Sequence, residues 1–286
     1  MKYILIAMRP YQWLKNIFIF LPLVFGKQLF NFYAFLRTAS IFFLFSLAAS
    51  AVYLINDILD LEEDMQHRQK SFRPLASGRI TAFHAKITAF ILAAISLSFS
   101  FLLNIHAGMV IAAYMLLNYI YMKFLKRAVI IDVFCIAALF YLRIVAGSIT
   151  SKVMLSNWII LCTILLTLFL AFNKRRVDLG AYKEYPPVFT EYNKYFIDRM
   201  ISIISSSIVI SYALYSMDAK TIGRFGTDHL IYTIPFVYYG IFRYLYLVDK
   251  IGLGGDPTYI LIKDRKIQLN FILWLITCVA VIYFKL

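Results

Sequence analysis

Asn56-Asp57-Ile58-Leu59-Asp60-Leu61-Glu62-Glu63-Asp64 follows directly on an apolar stretch, Thr38–Ile55. That stretch approaches the roughly 20 residues a helix needs to cross a bilayer. The acidic run reads N-D-x-x-D-x-x-x-D. On a continuing helix, Asp57, Asp60 and Asp64 stand at i, i+3 and i+7, within about 60° of one face. Carboxylates stacked on one face repel unless something cationic neutralises them. Hard oxygen donors favour Mg²⁺, which takes few carboxylates and keeps positions open for phosphate oxygens. Asp57, Asp60 and Asp64 are therefore the candidate metal ligands. The bases that follow, His67, Lys70 and Arg73, fit the same chemistry: carboxylates hold metal while Lys and Arg clamp phosphate oxygens.

The rest of the chain places this motif. Of 286 residues, 62% are hydrophobic, against about 45–50% in soluble domains. Lipid must surround much of the chain, and one integral-membrane domain, 1–286, is the simplest organisation. Apolar runs at Thr38–Ile55, Ile87–Leu103, Ile105–Met122, Val153–Asn173, Met200–Met217 and Ile267–Phe284 read as spans. Ala128–Ile149, with Asp132 and Arg143, and His229–Val248, with Arg243, are two more. Trp13–Phe30, interrupted by Lys15, Pro22 and Lys27, is the weakest. Counting it gives an all-α protein of nine transmembrane helices.

The charges test that count. With the N-terminus inside, the basic clusters around Arg68–Arg79, Lys123–Arg127, Lys174–Arg176 and Lys263–Lys266 all face the cytoplasm. Only Lys27, Arg37, Lys152, Lys220, Arg224 and Lys285 lie outside. That is the positive-inside bias expected of nine helices with the N-terminus cytoplasmic and the C-terminus outside. The acidic motif then faces the cytoplasm from a plasma (inner) membrane. The net charge of +14 serves orientation, anionic headgroups and phosphorylated substrates, not nucleic acid. Cys135, Cys162 and Cys278 lie inside apolar spans without metal-ligand spacing, and read as small hydrophobes. No cleavable signal peptide is evident.

The motif resembles the first signature of the UbiA superfamily of intramembrane prenyltransferases, nine-helix bundles open to lipid on one side. One branch is nearer. The run NDILDLEEDMQHRQKSFRPLASG at 56–78 is similar to the decaprenyl-phosphate phosphoribosyltransferases, as are RPYQWLKN at 9–16, IDVFCIAALFYLRIVAG at 131–147, FNKRRVDL at 172–179, YGIFRYLYLV at 239–248 and GDPTYILIKDR at 255–265. The wider superfamily carries a second acidic D-x-x-x-D motif after the sixth span. Here that stretch is Asn173-Lys174-Arg175-Arg176-Val177-Asp178, basic where the others are acidic.

The resemblance implies an Mg²⁺-dependent transfer. A membrane polyprenyl phosphate attacks C1 of 5-phosphoribosyl 1-diphosphate (PRPP), and diphosphate leaves. The product is a precursor of cell-envelope arabinose, as in arabinogalactan. Asn56, Asp57, Asp60 and Asp64 form the catalytic set; Lys15, His67, Lys70, Arg73, Asp132, Lys174 and Arg175 bind substrate. The alternative is prenylation of an aromatic or other small acceptor, which shares the first motif but lacks the second here. A transporter is disfavoured, because no internal repeat is evident and the acids gather at one face. Asp132, one turn into the fifth span, suits a second metal or a ribose hydroxyl, since intramembrane acids are costly. Arg143 is expected to bridge helices, and the glycine-rich segment at 252–257 reads as a mobile loop, with a lid as one role open to it. Oligomeric state stays open, a homo-oligomer included.

Overall fold

The computed structural model describes residues 2–66, 70–181, 192–251 and 256–285. Among them every regular element is helical. The α-helices are α1 (Lys2–Ala7), α2 (Leu21–Phe25), α3 (Phe32–Leu59), α4 (Leu61–Gln66), α5 (Ala82–Leu103), α6 (Ile105–Ile120), α7 (Ile131–Ser151), α8 (Asn157–Ala181), α9 (Lys194–Met217), α10 (Ala219–Phe225), α11 (Ile234–Ile251), α12 (Pro257–Lys263) and α13 (Arg265–Val279). Among the described residues, seven helices, α13 extended to Phe284 and α6 to Leu125 among them, are long and apolar enough to cross a membrane. The protein is a multi-pass membrane protein. The expected spans Trp13–Phe30 and His229–Val248 are helical but mixed: a 3₁₀ stretch, Pro10–Phe20, leads into α2, and another, His229–Thr233, leads into α11.

Polar caps cut the apolar runs into helices. Asn31 accepts from the Ala34 N–H at 3.2 Å, Thr81 caps α5 and Asn104 caps α6. Each satisfies a backbone donor that the helix cannot.

The chain divides into two compact units, residues 1–126 with 142–154, and 127–141 with 155–286. In the first, α3 packs on α5, α6 and the Pro10–Phe20 stretch. The Asn16 amide reaches Ser46 Oγ at 2.9 Å and the Trp13 indole reaches Ser50 Oγ at 3.0 Å. Gly147 sits so close to the Ile19 carbonyl that a Cβ there would lie 2.0 Å from its oxygen, so only glycine permits the approach. Arg143 does bridge segments, as expected. Its Nε donates to Asn16 Oδ1 at 2.8 Å and its Nη2 to the Tyr114 hydroxyl at 3.2 Å, and its guanidinium lies over the Phe45 and Tyr114 rings. A buried cation is tolerated when held this way. In the second unit, α8 packs on α9, and α11 on α13 and α9. Its core includes Phe169, Phe172, Ile197, Ile201 and Leu247.

Two local expectations change. The acidic run is not one helix: α3 ends at Leu59, and Asp60, at φ −93° and ψ 10°, separates it from α4. Asn56 donates its side-chain amide to Asp60 Oδ2 at 3.0 Å, and such local bonds compete with helix geometry. The basic stretch after the sixth span is not a loop; α8 continues through Lys174, Arg175, Arg176 and Asp178.

Candidate active site

Asp57 and Asp64 are buried, at 2% and 1% exposure, and converge on one arginine despite the break between α3 and α4. Arg73 Nη1 donates to Asp57 Oδ1 at 3.2 Å and to Asp64 Oδ2 at 2.5 Å. Arg9 also donates to Asp57 Oδ1. Arg9 lies in the left-handed region, at φ 52°, just before Pro10, and its guanidinium stacks over the Tyr53 ring at 5.2 Å. Lys70 Nζ is 4.0 Å from Asp64 Oδ1. Burial, then the positive charge of Arg73, lowers the Lys70 ammonium below its ordinary value.

Asp60 faces differently. Its Oδ2 takes the Asn56 amide and the Lys126 ammonium, the latter at 2.7 Å. Lys126 follows a π-helical turn, Tyr121–Leu125, whose Tyr121 carbonyl accepts the Lys126 N–H. Such turns often mark functional places.

One oxygen on each buried acid, Asp57 Oδ2 and Asp64 Oδ1, has no hydrogen-bond partner among the described residues. A buried carboxylate oxygen normally has one. Two unsatisfied oxygens suit Mg²⁺, which binds through one or two carboxylates plus phosphate oxygens. Among the described residues no group of three His, Cys, Asp or Glu side chains gathers closely enough to hold a metal by itself. The arrangement fits a metal that arrives with anionic ligands.

A second polar centre lies in the other unit. Asp132 is fully buried, and both its oxygens are used. Arg175 Nε donates to Oδ2 at 2.7 Å and the Tyr192 hydroxyl to Oδ1 at 2.7 Å. The Tyr192 oxygen in turn accepts the Ile130 N–H at 2.6 Å. Ile130, at φ 70°, holds a backbone that β-branched residues rarely adopt. Arg175 Nη1 also approaches Asp178 at 3.4 Å. Burial, then the bond to Asp132, holds the Tyr192 phenol well above its ordinary range, so it remains a donor. Lys174 is half-buried on the same stretch of α8.

Arg176 ties α8 to α9 and α11 through Asp198, at 2.6 Å, and Asp249. Asp264 caps α13 through the Ile267 N–H and receives Arg243 Nη2 at 2.7 Å. The Arg243 hydrogen bond is the main reason its carboxyl lies below the ordinary range.

Of the expected residues, Asn56, Asp57, Asp60, Asp64, Lys70 and Arg73 come together. Asp132 and Arg175 form their own pair. Lys15 is half-buried on the Pro10–Phe20 stretch. His67 and the segment at 252–255 lie outside the described residues. Sequence reasoning missed Arg9, Lys126 and Tyr192. Arg9 reads as an orienting charge although it opens RPYQWLKN, and Lys126 as an orienting charge or a partner for Asp132, whereas it pairs with Asp60.

Residues 17–256 match the UbiA prenyltransferase family, and the chain belongs to that family of membrane transferases. Two relatives make the likeness more particular. The chain is 30% identical to the decaprenyl-phosphate phosphoribosyltransferase of Mycobacterium tuberculosis H37Rv, over 97% of this chain and 93% of that one. It is 30% identical to the Corynebacterium glutamicum protein of the same name, over 97% and 86%. A UbiA homologue from Archaeoglobus fulgidus, solved bound to DMAPP and Mg²⁺, superimposes with a TM-score of 0.73 at 20% identity, covering 99% of each chain. That likeness is of fold.

Proposed function

We propose that the protein transfers 5-phosphoribosyl from PRPP to a membrane polyprenyl phosphate, releasing diphosphate and supplying a precursor of cell-envelope arabinose. The observation that carries this reading is the pair of buried acids, Asp57 and Asp64, each with one unsatisfied oxygen, set among Arg9, Lys70 and Arg73. The names of the actinobacterial relatives support it, and so does the basic Lys174-Arg175-Arg176 stretch.

Asp57, Asp60 and Asp64 would hold Mg²⁺, which would supply positive charge against a diphosphate leaving group. Asn56 and Lys126 orient Asp60. Lys70 and Arg73 bind phosphate oxygens, with His67 as a further partner, and Lys15 meets the lipid phosphate. Lys174 takes a further phosphate of PRPP or of the lipid. Arg175 does so from a guanidinium oriented by Asp132. A lipid phosphate is already anionic, so no side chain need act as general base; positioning and charge stabilisation carry the rate. The chain crosses the plasma membrane nine times, with the N-terminus and the site cytoplasmic and the C-terminus outside.

The test is purified protein with Mg²⁺ and PRPP labelled in the ribose, given polyprenyl phosphate. Label should enter the lipid fraction. No transfer, with a separately labelled prenyl diphosphate instead passing its prenyl group to an aromatic acid, would replace this reading with prenylation. For topology, a single accessible cysteine at Arg79 should label from the cytoplasm and one at Gly223 from outside; cytoplasmic labelling at Gly223 would break the nine-span arrangement.

A further inference from the structure

The acidic cluster is already neutralised from within the chain. Asp57, Asp60 and Asp64 are met by Arg9, Arg73 and Lys126, one cation for each carboxylate, with Lys70 at the margin. A divalent cation entering alone would add two uncompensated charges where Asp57 and Asp64 are 2% and 1% exposed. Burial is where like charges repel most. The unsatisfied oxygens, Asp57 Oδ2 and Asp64 Oδ1, nonetheless offer a cation somewhere to bind.

We infer that Arg9 is a built-in counterion that makes divalent-cation binding at Asp57 conditional on an accompanying diphosphate. This rests on the metal site proposed above. Arg9 is placed for it twice over. The left-handed backbone before Pro10 sets its direction, and the face of Tyr53 supports its guanidinium. Arg9 and Arg73 share one oxygen of Asp57, Oδ1, and so leave Oδ2 for the metal. When metal and diphosphate enter together, the anion restores charge balance. It also offers both guanidinium groups new oxygen acceptors of the kind their planar fork matches. Metal alone meets the repulsion without either compensation, and diphosphate alone brings uncompensated negative charge to a cluster that is already balanced. The two ligands therefore bind with positive coupling. Arg9 sets that coupling without touching a bond that forms or breaks.

The experiment measures Mn²⁺ retained by purified protein after centrifugal filtration, with and without methylenediphosphonate, correcting for chelate in the filtrate. Wild type should hold Mn²⁺ at least about tenfold more tightly when the diphosphonate is present, within the usual range of coupling between sites. Arg9→Gln should bind Mn²⁺ alone about tenfold more tightly than wild type and lose most of the dependence on the anion. Arg9→Lys, which keeps the charge, should retain the wild-type pattern. Tight Mn²⁺ binding to wild type regardless of anion, or undiminished coupling in a folded Arg9→Gln protein, would overturn the inference and leave the metal site standing. No retained Mn²⁺ in any folded variant, even with the diphosphonate, would remove the metal site itself.

Discussion

Asp57 and Asp132 are both buried carboxylates paired with arginine, yet they are satisfied differently. Asp132 spends both oxygens inside the protein, one on Arg175 and one on Tyr192. Asp57 spends one oxygen on two arginines and leaves the other unsatisfied, as Asp64 does. A saturated acid fixes its partner and has little left to offer a ligand. An unsaturated one carries an unmet demand that a ligand can meet. Within the proposed function, the difference favours Asp132 as the group that positions Arg175, and Asp57 and Asp64 as the groups that bind something from outside the chain. The expectation that Asp132 binds metal or ribose directly loses ground to this reading, since either ligand would first have to displace Arg175 or Tyr192.

Four substitutions press on that contrast. The largest effect is expected from Arg175→Ala, which strands Asp132 as a buried charge. Breaking one side of such a pair costs about 3–5 kcal/mol, readable as loss of thermal stability in detergent. Lys174→Ala, beside it but only half-buried, should leave stability nearly unchanged and raise the KM for PRPP or the lipid phosphate, by about 1.5–3 kcal/mol of lost binding. Equal destabilisation by both would erase the distinction between them.

Asp57→Asn should behave oppositely, with turnover down at least about 100-fold while the protein stays folded, because leaving-group stabilisation by metal is worth several kcal/mol. Near-normal turnover with an ordinary melting curve would take the acidic motif out of the mechanism. Tyr192→Phe removes one donor from Asp132 and should cost about 1–3 kcal/mol of stability. No change would mean that Asp132 is less fully satisfied than its geometry indicates.

The smallest effect concerns Asp264, a peripheral ion pair with Arg243. Its folded carboxyl lies below the ordinary value of about 4, so the pair stabilises the fold above that pH and the benefit disappears as pH falls through the lower folded value. Arg243→Gln should therefore melt below wild type at neutral pH, with the two curves merging in acid. A gap that persists at low pH would show that Arg243 acts through packing.

The spans at α3, α5, α8 and α9 were legible because lipid demands long apolar runs, and the caps that end them are single polar residues visible in the chain. The acidic motif was legible because its spacing is local. What stayed hidden depends on distance along the chain. Arg9 meets Asp57 across 48 positions and Tyr192 meets Asp132 across 60, and no periodicity joins such pairs. The break at Asp60 was hidden for a different reason. It arises from side-chain and backbone groups competing within one turn, a balance that spacing does not reveal. Lys174 and Arg175 were read as lying just beyond their span, in a loop, whereas α8 carries them as helix further than hydropathy alone would extend it.

The contact between Gly147 and the Ile19 carbonyl has a consequence for how the protein is made. The Pro10–Phe20 stretch leaves the ribosome before everything that holds it: Ser46 and Ser50 on α3, then Arg143 and Gly147 on α7. Until α7 emerges, the stretch must wait with its Asn16 amide and its 3₁₀ backbone only partly provided for. Its final seat therefore waits on the synthesis of α7, and a ribosome stalled before α7 should leave this stretch open to a protease that the finished protein resists.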